Sequence, residues 1–201
     1  MKDIIINTQS SIKIDNIYFD PFKIENETHD ASFIFITHSH YDHFDIDSIN
    51  KVKNDSTIII IPDDSEIKSK LDNYEVVLPN NTYEINNLII ETIPSYNVNK
   101  KFHPKENNWL GYIITLDNEK YYIMGDTDIN DDNLIVKCDY LFIPIGGTYT
   151  MNYKEASELT NIIHPKVVFP THFGSIVGEK EDFDRFKELI NTDIEVINKL
   201  Y

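Results

Sequence analysis

The feature that most restricts the fold is a histidine-rich segment placed directly after an apolar strand. Residues 37–43 read T-H-S-H-Y-D-H and hold three of the chain's seven histidines together with one carboxylate. His38 and His40 lie two residues apart on extended backbone, so their side chains project the same way and suit one metal ion. Asp42 and His43 follow where the chain turns and can face a second ion. Imidazole and carboxylate without thiolate indicate zinc, manganese or iron.

Two later strand ends carry residues of the same kind. The apolar segment 121–124 leads to Asp126, and the apolar segment 167–169 leads to His172. Alone, such an aspartate would more often form an Asx turn, and such a histidine would more often be structural. Because ligands gather where several strands end in a common crevice, three such strand ends together predict one metal site.

In order and spacing, the motifs H-S-H-Y-D-H, G-D-T-D and P-T-H resemble those of the metallo-β-lactamase superfamily. Within it the chain is most similar to the small bacterial branch related to ascorbate-6-phosphate lactonase. The resemblance extends from Asp20 to the loop after His172, and it implies an αββα sandwich with two metal ions at one edge of its sheets. Matched by motif position, the implied ligands are two for the first ion, three for the second and one that bridges them: His38 and His40; Asp42, His43 and His172; and Asp126.

One position departs from this pattern. The superfamily usually supplies a further histidine to the first ion, from the loop that here follows the strand ending at Pro94. Asn97 occupies that position, and His103 lies six residues later in the same loop. Three alternatives stay open. In the first, His103 folds back to complete the first metal position; otherwise that position is weak, or Asn97 binds through its carbonyl oxygen. A second open question concerns Asp20, which orients a ligand histidine or simply forms a turn.

The same loop predicts contacts to a substrate. Lys100, Lys101 and Lys105 cluster beside His103 in a strongly acidic chain. They form either a solvated loop or a cationic rim that holds a phosphate or carboxylate of the substrate. On the rim interpretation, the candidate substrate-binding residues are Lys101, Asn97 and, from a glycine-containing loop after a later strand, Tyr149.

The predicted reaction is hydrolysis. Two metal ions, Zn²⁺ or Mn²⁺ with iron as an alternative, would activate a hydroxide that attacks a small, anionic substrate. Asp42 would also act as the catalytic residue that orients the hydroxide and accepts its proton. Ester or lactone cleavage and phosphodiester cleavage both fit such a site, since a fold does not determine a reaction. Redox chemistry at iron and a non-catalytic protein with a degenerate metal site are the rival interpretations.

Composition excludes several other classes. The 201 residues are expected to form a single domain, 1–201, and the one cysteine excludes an internal disulfide and a cysteine-rich zinc site. Eighteen Lys and Arg against 34 Asp and Glu give a net charge of −16, which opposes nucleic-acid binding. We find neither a membrane-length apolar run nor a signal peptide. The expected protein is cytoplasmic and binds a small molecule rather than a membrane, and homo-oligomerisation is left open.

Short Ile-rich segments predict strands first, followed by alternating strands and helices. This order favours an α+β fold in which two mixed β-sheets are flanked by helices. The predicted strands are Ile4–Asn7, Ser11–Ile14, Ile17–Phe19, Ser32–Thr37, Thr57–Pro62, Glu75–Leu78, Leu88–Pro94, Trp109–Leu116, Lys120–Met124, Asp139–Pro144, Lys166–Pro170 and Ile194–Ile197. The predicted helices are Asp45–Val52, Ser65–Leu71, Tyr153–Ile163 and Lys180–Ile190.

Overall fold

The computed structural model describes residues 2–200 and shows two mixed β-sheets packed face to face. The first sheet has six strands in sequential order, the first three antiparallel and the rest parallel. Its strands are β1 (Ile4–Thr8), β2 (Ser11–Ile14), β3 (Ile17–Phe19), β4 (Phe33–Phe35), β5 (Ile58–Ile61) and β6 (Glu75–Val76).

The second sheet has seven strands, which also lie in sequential order. The strands are β7 (Thr82–Ile85), β8 (Leu88–Pro94), β9 (Leu110–Leu116), β10 (Glu119–Ile123), β11 (Tyr140–Pro144), β12 (Val167–Thr171) and β13 (Glu195–Val196). The four strands from β7 to β10 pair antiparallel, and those from β10 to β13 pair parallel.

The main core lies between the two sheets and is built from β-branched and aromatic side chains. Phe35 of β4 stacks on Phe19 with ring centroids 4.8 Å apart and meets Tyr112 of β9 at 5.0 Å. The Tyr112 hydroxyl donates a hydrogen bond of 2.7 Å to the carbonyl of Ile36 in the opposite sheet. Aromatic packing and this buried hydrogen bond therefore fix the two sheets relative to each other close to the histidine-rich segment.

Helices cover the outer face of each sheet. Helices α1 (Ile46–Val52) and α2 (Ser65–Lys68) pack on the first sheet, and α3 (Tyr153–Ile163) and α4 (Asp182–Glu188) pack on the second. Among these, α3 begins with a complete capping box, in which Asn152 and Glu155 bond to each other's backbone N–H groups. The predicted α+β sandwich of two mixed sheets is confirmed, and its layers run helix, sheet, sheet, helix.

The differences from the predicted elements are small. Strand β7 was not predicted, because Thr82–Ile85 is a four-residue edge strand whose alternate side chains face solvent. The predicted helices Ser65–Leu71 and Lys180–Ile190 are shorter in the structure, where they span Ser65–Lys68 and Asp182–Glu188. Among residues 2–200, no helix combines the length and the apolar character that a membrane crossing requires.

Candidate metal centre

Loops that follow strands of both sheets meet at one edge of the sandwich. The loop after β4 brings His38, His40, Asp42 and His43; the loops after β8, β10 and β12 bring His103, Asp126 and His172. All seven side chains are buried except that of His40, which is partly exposed. The structure thus brings together every residue that the sequence predicted as a metal ligand.

Their ligand atoms fall into three groups whose members lie within 4.8 Å of one another. The groups are His38, His40 and His103; Asp42, His43 and His172; and His38, His43 and Asp126. The first two groups match the first and second metal positions implied by the sequence resemblance, with His103 joining the first. The third group spans the two positions.

The carboxylate of Asp126 lies between the two positions. Its Oδ1 is 3.3 Å from Nε2 of His43, and its Oδ2 is 3.3 Å from Nε2 of His172 and 3.4 Å from Nε2 of His103. Burial alone would raise the pKa of Asp126, but its electrostatic interactions with the imidazoles of His172 and His43 hold that pKa well below its usual range. Asp126 is therefore an ionised carboxylate placed where it can contact ions at both positions.

The donor atoms fit divalent metal ions. The Nε2 atoms of His43, His103 and His172 and Oδ1 of Asp126 are buried without a hydrogen-bond partner in the described chain. Buried polar atoms are rarely left unpaired, because burying them unpaired costs free energy. Two donors bound at about 2.1 Å to one tetrahedral zinc lie about 3.4 Å apart. The spacing is similar here: 3.1 Å between His38 Nε2 and His40 Nδ1, and 3.3 Å between His172 Nε2 and Asp42 Oδ2.

Asp20 orients two of these histidines from behind. Its buried carboxylate accepts a hydrogen bond of 2.7 Å from Nδ1 of His43 and another of 2.6 Å from the hydroxyl of Thr37. Because that hydroxyl donates its proton to Asp20, it must accept from Nδ1 of His38, 2.9 Å away. Both rings therefore carry their proton on Nδ1 and present a free Nε2 to the centre. Of the two roles considered for Asp20, the orienting one is observed.

The His38 ring is held in its neutral form. Burial lowers the pKa of His38 well below its ordinary value. A neutral imidazole is the form that binds metal.

Asn97 holds His103 in place. Its Oδ1 accepts hydrogen bonds from the backbone N–H of His103 at 3.1 Å and from Nδ1 of the same residue at 2.9 Å. Its own backbone N–H donates to the His103 carbonyl at 2.7 Å, and its Nδ2 donates to the carbonyl of Tyr149 at 3.0 Å. Nε2 of His103 is thereby left free and faces Asp126. This arrangement favours His103 over Asn97 as the third ligand of the first position.

Trp109 packs against the first metal position. Its ring centroid lies 4.8 Å from that of His38, 4.9 Å from that of His40 and 5.6 Å from that of His103. Its Nε1 donates a hydrogen bond of 2.8 Å to Asp64 at the beginning of α2. The indole therefore restricts all three imidazoles, a packing role that no local sequence pattern distinguished from ordinary core packing.

A cavity of about 240 Å³ opens onto the centre. Five of its lining residues are candidate ligands: His40, Asp42, His103, Asp126 and His172. The other four are Tyr41, Phe102, Tyr149 and Ile176. Tyr149 was predicted to contact substrate and does line the cavity. Phe102 and Ile176 were missed, because apolar residues in polar loops carry no signal of their own.

The predicted cationic rim does not form at this cavity. Lys100 pairs with Asp128, and Lys105 lies 3.3 Å from Asp132 and 3.1 Å from the hydroxyl of Tyr96. Both lysines line a separate depression, which also includes Asn97. Lys101 is exposed and lies outside the cavity lining, so neither Lys101 nor Asn97 takes the predicted substrate-binding place. The acidic partners, about thirty residues away in sequence, draw the lysines to the other side of the loop.

Fold and site together define a class of protein: αββα sandwiches with histidine and aspartate metal ligands at one edge of the two sheets. A family model described as the beta-lactamase superfamily domain matches residues 10–172. The chain therefore belongs to the metallo-β-lactamase superfamily, as its motifs predicted. The narrower resemblance to ascorbate-6-phosphate lactonase stays a prediction.

Relatives agree with this assignment. The UPF0173 metal-dependent hydrolase of Pyrococcus abyssi is 27% identical over 196 residues, covering 90% of this chain and 87% of its own. Its counterpart from Methanosphaera stadtmanae is 29% identical over 195 residues, covering 87% of this chain and 83% of its own. A crystal structure from Parabacteroides distasonis, named as a candidate metal-dependent hydrolase, superposes with a TM-score of 0.80 at 27% identity, over 100% of this chain and 99% of that one. The predicted hydrolase class is confirmed.

Proposed function

We propose that the protein hydrolyses an ester, lactone or phosphodiester bond of a small molecule with the help of two divalent ions, Zn²⁺ or Mn²⁺. The observation that carries this proposal is the set of buried, unpartnered ligand atoms that converge from both sheets. His38, His40 and His103 would hold the first ion. Asp42, His43 and His172 would hold the second, with Asp126 contacting both. When bound, such a pair lowers the pKa of a water molecule and polarises the oxygen of the scissile group.

The chain's own residues support water as the nucleophile. The cavity lining includes no serine, threonine, cysteine or lysine that could form a covalent intermediate. Asp42 lines the cavity, is 7% exposed, and has its Oδ2 3.3 Å from Nε2 of His172. It is therefore placed both to bind the second ion and to orient an attacking water and accept its proton.

The proposal is tested first by metal content. Elemental analysis of protein purified without chelator should find close to two equivalents in the wild type and close to one in His103→Ala. Asp126→Ala should lose most of both. His164→Asn is the matched control, because His164 is a half-exposed histidine paired with Asp193 on the surface. One equivalent or less in the wild type, unchanged in His103→Ala, would overturn the two-ion proposal.

A panel of esters, lactones and phosphodiesters then tests the reaction. The protein loaded with Zn²⁺ or Mn²⁺ should hydrolyse at least one member, and Asp42→Asn should lower the rate by roughly 10²–10⁴-fold, as expected for loss of a general base. Metal content is measured on the same samples. Full metal loading without hydrolysis of any member would overturn the hydrolytic proposal and favour a metal-binding protein without this activity.

A further inference from the structure

The cavity described above divides into a polar inner wall and an apolar mouth. Every residue of the inner wall is a candidate metal ligand. The mouth consists of Tyr41, Phe102, Tyr149 and Ile176, which come from four different loops and are all aromatic or aliphatic. The chemistry of these four residues indicates which kind of group the substrate carries next to its scissile bond.

The apolar side chains of the mouth are unusually exposed. Tyr41 is 65% exposed, Phe102 46% and Ile176 40%, so three large apolar residues from distant parts of the chain meet around one opening. Clusters of this kind on a small protein mark binding sites more often than single exposed residues do. An apolar group of a substrate would cover surface that is otherwise left in contact with water.

The aromatic rings of the mouth are held by neighbours. Phe102 packs edge-on against Tyr149, with centroids 4.6 Å apart and planes at 88°. Tyr41 packs edge-on against the buried Phe22 at 5.9 Å and 78°. The backbone of Tyr149 is in turn tied to Asn97 and thereby to the loop of His103. The mouth is therefore connected to the metal centre through residues that also position a ligand.

Charge distinguishes this cavity from one built for an anion. Apart from the candidate ligands, no charged side chain of the described chain lines it. Lys100 and Lys105 are paired with Asp128 and Asp132 at a separate depression. With a net charge of −16, the protein as a whole repels anions. A charged substituent on the substrate would gain no partner at the mouth, and a leaving phosphate would find no lysine or arginine.

We infer that the site takes carboxylic esters or lactones whose acyl part is uncharged and apolar, such as a single aryl ring or a short alkyl chain. This inference rests on the proposed function. The cavity volume of about 240 Å³ suits an acyl group of that size. In the reaction, water adds to the carbonyl carbon and the ester C–O bond breaks. An ester gives a carboxylic acid and an alcohol that receives the remaining proton, and a lactone gives a single hydroxy acid.

The test uses pairs of phenyl esters with the same chain length, the hexanoate and the monoester of adipic acid, which differ by a terminal carboxylate. Metal-loaded wild type should show a kcat/KM at least about 10-fold higher for the hexanoate, the discrimination that a few apolar contacts provide. Phe102→Ala should lower the value for the hexanoate about 10-fold and leave the adipate ester nearly unchanged. Equal values for both esters in the wild type, or a preference for the adipate ester, would overturn the inference.

A cation placed at the mouth gives a second, reciprocal test. Ile176→Lys should reverse or abolish the preference for the uncharged ester by attracting the carboxylate. Ile162→Lys is the matched control, because Ile162 is 43% exposed on α3, outside the cavity lining, and its substitution should change neither value. An unaltered preference in Ile176→Lys, in a variant that folds and binds metal normally, would contradict the assignment of this mouth to the acyl group.

A binding measurement separates the inference from the proposed function. Hexanohydroxamate and the monohydroxamate of adipic acid share a metal-binding group and differ again by one carboxylate. Calorimetry on the metal-loaded protein should find hexanohydroxamate bound about 10-fold more tightly. If no ester is hydrolysed but this preference holds, the proposed reaction fails and the apolar pocket stands. If esters are hydrolysed but the two hydroxamates bind equally, the reaction stands and the inference fails.

Discussion

The two metal positions differ in the partner that holds one histidine of each. At the second position, Nδ1 of His43 donates to the buried carboxylate of Asp20. At the first position, Nδ1 of His103 donates to the neutral amide of Asn97. A carboxylate partner makes an imidazole a stronger ligand, and an amide orients the ring without that added charge. We therefore expect the second position to bind its ion more tightly than the first.

The backbone that carries the ligands also favours tighter binding at the second position. His43 lies in the loop from β4, close to the beginning of α1, and His172 directly follows β12. His103, in contrast, lies in the middle of the long connection between β8 and β9, where Asn97 supplies its backbone and side-chain contacts. A ligand carried by a strand end is fixed by the sheet, whereas a ligand carried by a loop depends on a few local hydrogen bonds. The first ion should accordingly exchange faster.

The largest effect should come from Asp126, which serves both positions. Asp126→Asn replaces an ionised carboxylate with a neutral amide of similar size. We expect hydrolysis to fall by about 10³-fold or more, since several kcal/mol of electrostatic stabilisation disappear. Competition with a chelator should show both ions weakened together. Loss of only one ion would mean that Asp126 belongs to a single position and does not bridge.

Substitution of Asp20 should have the second largest effect, because Asp20 supports one ligand histidine of each position through hydrogen bonds. Asp20→Asn weakens the support of His43 directly and that of His38 through Thr37. We expect the affinity for the second ion to fall 10–100-fold, the usual range for a residue that orients a ligand, and the affinity for the first to fall less. Chelator competition measures both, and circular dichroism controls for folding. A larger loss at the first ion would reverse the comparison.

Substitution of Asn97 should weaken the binding of the first ion alone. Asn97→Ala removes the acceptor for Nδ1 of His103, so we expect affinity for the first ion to fall about 10-fold while the second is retained. The chain's single tryptophan, Trp109, packs on this half of the site, so quenching of its emission by Co²⁺ provides the readout. Asn161→Ala removes a similar side-chain bond, to the carbonyl of Leu189, far from the centre and serves as the control. Equal weakening of both ions would show that Asn97 has only a general structural role.

Substitution of a surface carboxylate, Asp30, should have the smallest effect, and that effect is on the free energy of unfolding. Asp30 pairs with Lys13 at 2.7 Å; burial would raise its pKa, but hydrogen bonds from Lys13, Tyr18 and Thr28 lower it to about 2. The stabilisation is present above the unfolded value near about 3.9 and is lost as the pH falls through about 2. Since the Asp30 carboxylate is exposed and Lys13 is partly exposed, Asp30→Asn should cost less than about 1 kcal/mol at pH 7. Urea unfolding of metal-free protein at pH 7 and pH 3 measures this, and a larger cost would remove the contrast with Asp20.

The sequence predicted most of the fold, and the residues that cluster at the candidate metal centre, for one physical reason. Residues 37–43 are contiguous and follow a strand whose apolar pattern is clear, so their geometry is almost local. Asp126 and His172 likewise follow apolar strands directly. The α+β sandwich could be predicted from the alternation of such strands with helices. Strand β7 could not, because half of its side chains face solvent and carry no burial pattern.

Contacts between loops that are distant in sequence were harder to predict from the sequence. The choice between Asn97 and His103 depends on hydrogen bonds within a loop whose conformation has no clear sequence pattern. The direction of Lys100 and Lys105 depends on Asp128 and Asp132, which follow β10 and not β8. Charge counted along the sequence therefore predicted a cationic rim, whereas charge distributed in space leaves the mouth apolar.

The ligands of the proposed ions come from both layers of the sandwich. His38, His40, Asp42 and His43 follow the first sheet, and His103, Asp126 and His172 follow strands of the second. Ions bound there would cross-link the two layers at one edge, much as a disulfide would, in a chain whose single cysteine can form none internally. Because ligands that bind only the folded state stabilise it, metal supply would then set the lifetime of the folded protein as well as its activity. Removing metal should loosen the packing of the two sheets first at that edge.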